Sequence, residues 1–255
     1  KGGTVTGKAI DKIIHDFDFS APYKSVIPLL EVKSMINLLE NNHWRNVKID
    51  EINTLILNCL GIELQLNAQI PYGVMGENLQ IKFLVNNPSP LAVSLNQIQW
   101  KDQSHDLNEI LETNQLYSKS FDTKVEGEIS SPYWLTQKGS QGMYITDKSA
   151  WIGAAKSPTA FQARLHMTIE GKKLMIDLPL EFRKTDPVRG EVITPFHILP
   201  EATLQLEAPV FLFATDQSRK VKVKEFKSPN MVFHHAAQLP KEQHVNSDME
   251  YARLC

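Results

Sequence analysis

Between residues 10 and 60 the apolar positions recur every three or four residues: Ile10, Ile13, Ile14 and Phe17, then Leu29, Val32, Ile36 and Leu39, then Ile49, Ile52, Leu55, Ile56, Cys59 and Leu60. That spacing puts each set on one face of a 3.6-residue helix and predicts three amphipathic helices. Pro22 and Pro28 bracket the entry to the second, ENNHW (40–44) breaks it, and Gly61 suits the position after the third because glycine tolerates left-handed backbone. Cys59 lies on the apolar face and is expected in the core, where a free cysteine packs as a small hydrophobe.

Beyond Gly61 the period becomes two. Leu79, Ile81, Phe83 and Val85 alternate with polar Gln80 and Lys82, and Leu91, Val93 and Leu95 resume the pattern after the NNPSP turn (86–90). In FQARLHMTIEGKKLMIDLPLEF (161–182), Phe161, Ala163, Leu165, Met167 and Ile169 alternate, Glu170-Gly171 offers a turn, and Leu174, Ile176, Leu178, Leu180 and Phe182 alternate on the return. A β-hairpin with one buried face is predicted. Such strands, separated by Pro/Gly/Asn turns without intervening helices, argue for an antiparallel, immunoglobulin-like sandwich.

The expected class is α+β: a helical segment over 1–61, a β-sandwich over 62–185, and a linker with a partial second β-domain and an irregular tail over 186–255. Within the last part, ATLQLEAPVFLF and RKVKVKEF read as further strands, and no clean period continues to the end of the chain.

Composition narrows the function classes. With 255 residues and 42% hydrophobic content the chain can build one large or two modest cores. Its 27 basic and 29 acidic residues are evenly spread, so no electrostatic footprint for nucleic acid or anionic lipid is expected. No apolar run approaches the roughly 18–20 residues that span a bilayer. The start, KGGTVTGKAIDK, lacks the apolar core of a signal peptide and reads as an internal cut. Cys59 and Cys255 are too few for a disulfide framework or a cysteine-rich zinc site.

RKTDPVRGEVITPFHILP (183–200) gathers Asp186, Arg189, Glu191 and His197, the minimal materials for general acid–base chemistry. Pro187, Pro195 and Pro200 punctuate the stretch, which favours an exit strand and interdomain connection with a local Asp186–Arg189 ion pair. The histidines do not fall into ligand spacing: His234-His235 are adjacent and point to opposite faces, while His15 and His166 are expected on solvated faces. Lys220, Lys222 and Lys224 read as a solvated strand face or a protected sheet edge. No nucleophile elbow, phosphate-cradling loop or dinucleotide fingerprint occurs. The aromatics of SSPYWL (130–135) and GMYITDKSAWIG (142–153) are the candidate binding residues, because Tyr133, Trp134, Tyr144 and Trp151 are rigid rings able to stack on a sugar face. The plainer expectation, and the favoured one, is that these rings cap the end of the sandwich core.

Taken in order, KIDEINTLILNCLGIELQLNA (48–68), SPYWL (131–135), GMYITDKSAWIG (142–153) and FRKTDPVRGEVITPFHILPEATL (182–204) resemble the region that follows the catalytic domain in large bacterial proteins of the PIG-L (LmbE-like) deacetylase family. The resemblance covers roughly residues 8–225. It implies a secreted or periplasmic protein whose enzyme domain removes acetyl groups from N-acetylglucosamine-type sugars, using zinc held by a His-Pro-Asp-Asp motif and a later histidine. That motif is absent: His15-Asp16 is followed by Phe17, and His105-Asp106 by Leu107. No catalytic residue is therefore assigned, no cofactor is expected in this chain, and zinc is expected only in the enzyme domain. The resemblance implies an accessory region whose partners are its own deacetylase domain and a glycan. The alternative expectation is a stand-alone carbohydrate-binding module.

Overall fold

The structure is a computed structural model that describes residues 3–147, 151–157, 159–206, 219–221, 223–227 and 243–245. Three helices come first, α1 (Gly3–His15), α2 (Val26–Asn37) and α3 (His43–Leu60). The strands follow: β1 (Glu63–Ala68), β2 (Tyr72–Val74), β3 (Asn78–Asn86), β4 (Val93–Trp100), β5 (Gln103–Leu111), β6 (Leu116–Lys124), β7 (Gln162–Ile169), β8 (Lys172–Pro179), β9 (Glu181–Asp186), β10 (Gly190–Pro195), β11 (His197–Leu199), β12 (Ala202–Leu206), β13 (Arg219–Val221), β14 (Val223–Lys227) and β15 (Gln243–Val245). The expected α+β class is what the chain adopts.

The helix boundaries have local causes. Asn42 caps α3, its side-chain oxygen accepting the Arg45 N–H at 2.9 Å, which is why ENNHW separates two helices. Gly61 ends α3 at φ 67°, with its own N–H donating to Asn58 O and the Ile62 N–H reaching back to Leu57 O. Val26, Leu29, Leu30 and Val32 of α2 and Ile52, Ile56, Cys59 and Leu60 of α3 are buried.

The chain divides into two compact units, one comprising Lys1–Gln69, Gln80–Thr123 and Phe161–Pro195, the other Ile70–Leu79, Lys124–Ala160 and Phe196–Cys255. In the first, β10-β9-β1-β3-β6 form a five-stranded sheet and β5-β4-β7-β8 a four-stranded one. Alternate residues of both are buried, among them Leu66, Ile81, Phe83 and Val85 in one sheet and Leu95, Ile98, Leu165, Met167 and Leu174 in the other. These inner faces form the core of a sandwich. Its pairing is not wholly antiparallel: β1 and β9 run parallel, with Asn67 opposite Glu181.

The hairpin expected over 161–182 is present, with Gln162↔Pro179 through Ile169↔Lys172 in register. Glu170 (φ 46°) and Gly171 (φ 76°) both take positive φ, the requirement of a two-residue type I′ turn. The apolar alternation runs on to Phe182, but the strand does not. Pro179 ends β8, and Leu180 hands the chain from the four-stranded to the five-stranded sheet, where β9 begins. A period of two records burial, not sheet membership.

Residues 186–195, expected as the start of a linker, are a turn and a strand. Asp186 Oδ1 accepts the N–H groups of Val188 and Arg189, both at 2.9 Å, and β10 folds back on β9 from Gly190↔Asp186 to Pro195↔Glu181. The prolines are compatible with this because Pro187 sits in the turn and Pro195 ends an edge strand, where ladder donors are not all needed.

The second unit contains three two-stranded ladders among its described residues: β2 with β11 in parallel, β12 with β14, and β13 with β15. Gly73 is buried there against Val125 and Phe196, where an added Cβ would come within 2.7 Å and 3.0 Å of their side chains. Lys222, His234-His235 and Cys255 lie outside the described residues.

Candidate functional site

The second unit brings three of the four candidate aromatics together. Tyr133 lies in a short 3-10 turn (Tyr133–Leu135); its ring meets Trp134 edge-on at 4.9 Å and Trp151 at 6.2 Å. Tyr133 is 8% exposed, and its polar groups are committed. Its N–H donates to Ser157 Oγ at 2.8 Å, Ser157 Oγ donates to Ser131 O, and the phenol donates to Ala154 O at 3.4 Å. Tyr133 thus fastens residues 151–157 to residues 131–133. Trp134 and Trp151 are half-buried, while Tyr144 is 69% exposed and forms no ring contact among the described residues. The surfaces left for a sugar are parts of Trp134 and Trp151 and most of Tyr144.

The polar residues of 183–200 do not converge. Asp186 spends one oxygen on the turn, and those two backbone donors hold its carboxyl below the usual carboxylate range. The expected Asp186–Arg189 ion pair is replaced by a backbone bond; the ion pairs here belong to Arg183, with Glu181 at 3.1 Å and Glu191 at 3.4 Å. His197 is exposed and belongs to the other compact unit. His15 is exposed, and Cys59 is buried with its thiol pushed up by desolvation. His166 differs from its expected solvated state: it is half-buried, and its Nε2 is closed off from solvent without a partner. Among the described residues no group of three or more His, Cys, Asp or Glu side chains could hold a metal ion, and no helix is long and apolar enough to cross a membrane.

Two features escaped the sequence reading. The first is on the helices: Ile10 and Ile14 of α1, one turn apart, are 39% and 69% exposed, and Trp44 at the start of α3 is 70% exposed. Helical periodicity located this stripe, but only packing reveals which part of it is covered. The second is a hollow of about 450 Å³ on the outer face of the four-stranded sheet, with α2 at its margin. It forms where β4 bulges between Leu95 and Gln97, which throws Asn96 and Gln97 both outward. Two consecutive polar residues in an alternating strand, N-Q in SLNQIQ (94–99), were the available signal.

No family model matches the chain, and no curated protein sequence matches it. Among solved structures, it is similar to the Pseudomonas fluorescens alkylpurine DNA glycosylase AlkC bound to DNA containing an abasic site analog, at 13% identity over 65% of this chain and 48% of that one, with a TM-score of 0.23. It is also similar to the β-glucosidase from Listeria innocua in complex with glucose, at 12% identity over 47% of this chain and 16% of the glucosidase, with a TM-score of 0.21. The chain thus spans about half the length of the first and about a sixth of the second. Likenesses this distant lend neither activity to this chain.

Proposed function

We infer that this chain is a non-catalytic accessory region of an exported PIG-L-type sugar deacetylase, and that its helical segment receives the enzyme domain. The observation that carries the reading is the uncovered apolar stripe of α1, where Ile10 and Ile14 face outward and Thr6 is the buried residue. An amphipathic helix is stabilised by burying its stripe, so a stripe left in water marks a surface for a partner. The four ordered segments of family resemblance support a deacetylase domain as that partner.

The test is association of the purified chain with a PIG-L-type deacetylase domain, read by calorimetry beside an assay on N-acetylglucosamine oligomers with added zinc. Binding to the domain, weakened at least tenfold in an Ile10→Glu/Ile14→Glu variant that melts normally, supports the reading. Turnover by the chain alone, or no association, sinks it.

A second reading is a carbohydrate-binding module, favoured by the exposed ring of Tyr144 and the part-exposed ring of Trp134. Trp134→Ala should then lose retention on chitin or peptidoglycan without unfolding. Unchanged retention counts against it.

A further inference from the structure

The outer hollow of the four-stranded sheet combines three features that the sandwich core does not require. It sits on a backbone irregularity, because β4 carries Asn96 as an extra residue against β7, where Leu95 pairs with Met167 and Gln97 with His166. Facing it, β5 skips Leu107 and Asn108 between the partners of Gln97 and Leu95, and Asn108 takes φ 48°. Bulges and left-handed non-glycine residues concentrate where a surface is shaped for a ligand.

The second feature is unmatched positive charge. Lys33 of α2 and Lys173 of β8 line the hollow from two sides, and among the described residues neither has a carboxylate partner. Burial pushes the Lys33 ammonium below the usual lysine range, the consequence of desolvating a charge that nothing neutralises. Asp106 is the single acidic residue in the lining, set against the two lysines.

The third is a set of oriented hydrogen-bonding groups. Thr168 Oγ1 donates to Asn96 Oδ1 at 2.8 Å, which leaves the Asn96 amide N–H groups for a ligand. Gln97 Nε2 donates to Asp106 Oδ1 at 2.9 Å, which leaves the Gln97 carbonyl oxygen as an acceptor. Donors and acceptors side by side suit hydroxyl groups, each of which both gives and takes a hydrogen bond. Met175, 54% exposed, supplies an apolar surface for a C–H face. The lining holds no arginine for bidentate phosphate binding and no Phe, Tyr or Trp ring to stack on a nucleobase, while Asp106 would repel a multiply charged phosphate.

We propose that this hollow binds a carboxylate-bearing sugar residue, the carboxylate held by Lys33 and Lys173 and the hydroxyls by Asn96, Gln97 and Asp106. The volume of about 450 Å³ falls within the range of small-molecule sites, roughly 300–1,000 Å³. The site is distinct from the Tyr133–Trp151 aromatics, and it stands whether the chain serves a deacetylase or acts alone.

Calorimetric titration of the full chain with trigalacturonate, its neutral methyl ester and N-acetylmuramic acid tests the assignment. The expected result is saturable binding of trigalacturonate or N-acetylmuramic acid, the pair separating a ring carboxylate from a lactyl one. Binding of trigalacturonate should exceed that of its ester at least tenfold, and Lys33→Met/Lys173→Met should weaken either acid at least tenfold while Lys33→Arg retains it. Failure of both acids to bind overturns the proposal, as does an ester that binds as well as its acid or a double variant with unchanged affinity. The ester comparison uses the unsubstituted protein, so the proposal stays falsifiable if the double variant does not fold.

Discussion

The Trp100 ring on β4 meets the Phe121 ring on β6 edge-on, with centroids 5.3 Å apart, and with the His105–Phe121 contact at 5.0 Å it joins the two sheets of the sandwich. The Trp100 indole N–H also donates to Thr123 Oγ1 at 3.4 Å, Phe161 lies 6.1 Å away, and His105 lies against the indole at 4.6 Å. Trp100 is 3% exposed, so its large surface is buried where the sheets must hold together. Trp100→Ala should destabilise the protein by about 3–5 kcal/mol and Trp100→Phe by clearly less. Urea unfolding followed by circular dichroism measures both, and an alanine variant of unchanged midpoint would show that the contact is dispensable.

Gly61 gives a backbone prediction. At φ 67° an alanine is strained, and its Cβ would also come within 3.1 Å of Pro88 Cγ. Gly61→Ala should cost about 1–2 kcal/mol, and Gly61→Asn less because asparagine visits left-handed backbone more readily. Thermal melts of the two variants in parallel separate strain from simple bulk.

Asp18 sets an acid-side dependence. Ser20 donates to Asp18 Oδ1 through both N–H (2.9 Å) and Oγ (2.6 Å), and Lys24 Nζ pairs with Oδ2 at 2.9 Å. Those bonds hold the carboxyl well below its ordinary value, and the same pairing raises the Lys24 ammonium. A carboxylate depressed in the folded state stabilises it above the unfolded value of about 3.9, and that contribution is lost as the pH falls through the folded value. The raised lysine contributes below about pH 10.4 and loses its contribution as the pH rises through its folded value. Asp186 acts in the same direction as Asp18. Asp18→Asn/Asp186→Asn should therefore lose stability at pH 7 and show a shallower decline between pH 5 and pH 2. Parallel unfolding curves for the parent and the variant across that interval would contradict this.

Cys59 should be chemically silent while the protein is folded. It is 9% exposed, and desolvation raises its thiol, which lowers the thiolate fraction that reacts. In a Cys255→Ser background, Ellman's reagent at pH 8 should label Cys59 at least tenfold more slowly in buffer than in urea. Equal rates would place the thiol in contact with solvent.

The tyrosine at the centre of the aromatic cluster has a structural job that can be separated from binding. Ser157 Oγ is the acceptor for the Tyr133 N–H, so Ser157→Ala leaves that donor without its partner. The variant should lose about 1–2 kcal/mol, with a change in tryptophan emission from Trp134 and Trp151, which flank Tyr133. An unchanged emission spectrum would argue against the fastening role.

Much of the architecture was legible because burial imposes a period on a chain that forms regular backbone. Ile52, Ile56 and Cys59 mark a helix face, Ile81, Phe83 and Val85 mark a strand face, and Glu170-Gly171 marks a turn, each through local stereochemistry. The sequence by itself determined the helical start, the change to strands after Gly61, the Gln162–Pro179 hairpin and the buried state of Cys59. Only the tertiary structure decided the parallel meeting of Asn67 with Glu181, the change of sheet at Leu180 and the division of Tyr133 from Tyr144 into buried and exposed rings. It also decided that Lys33, Asn96, His166 and Lys173 share one hollow. These depend on pairings between residues far apart in the chain, and alternation states that a side chain is covered without stating by what.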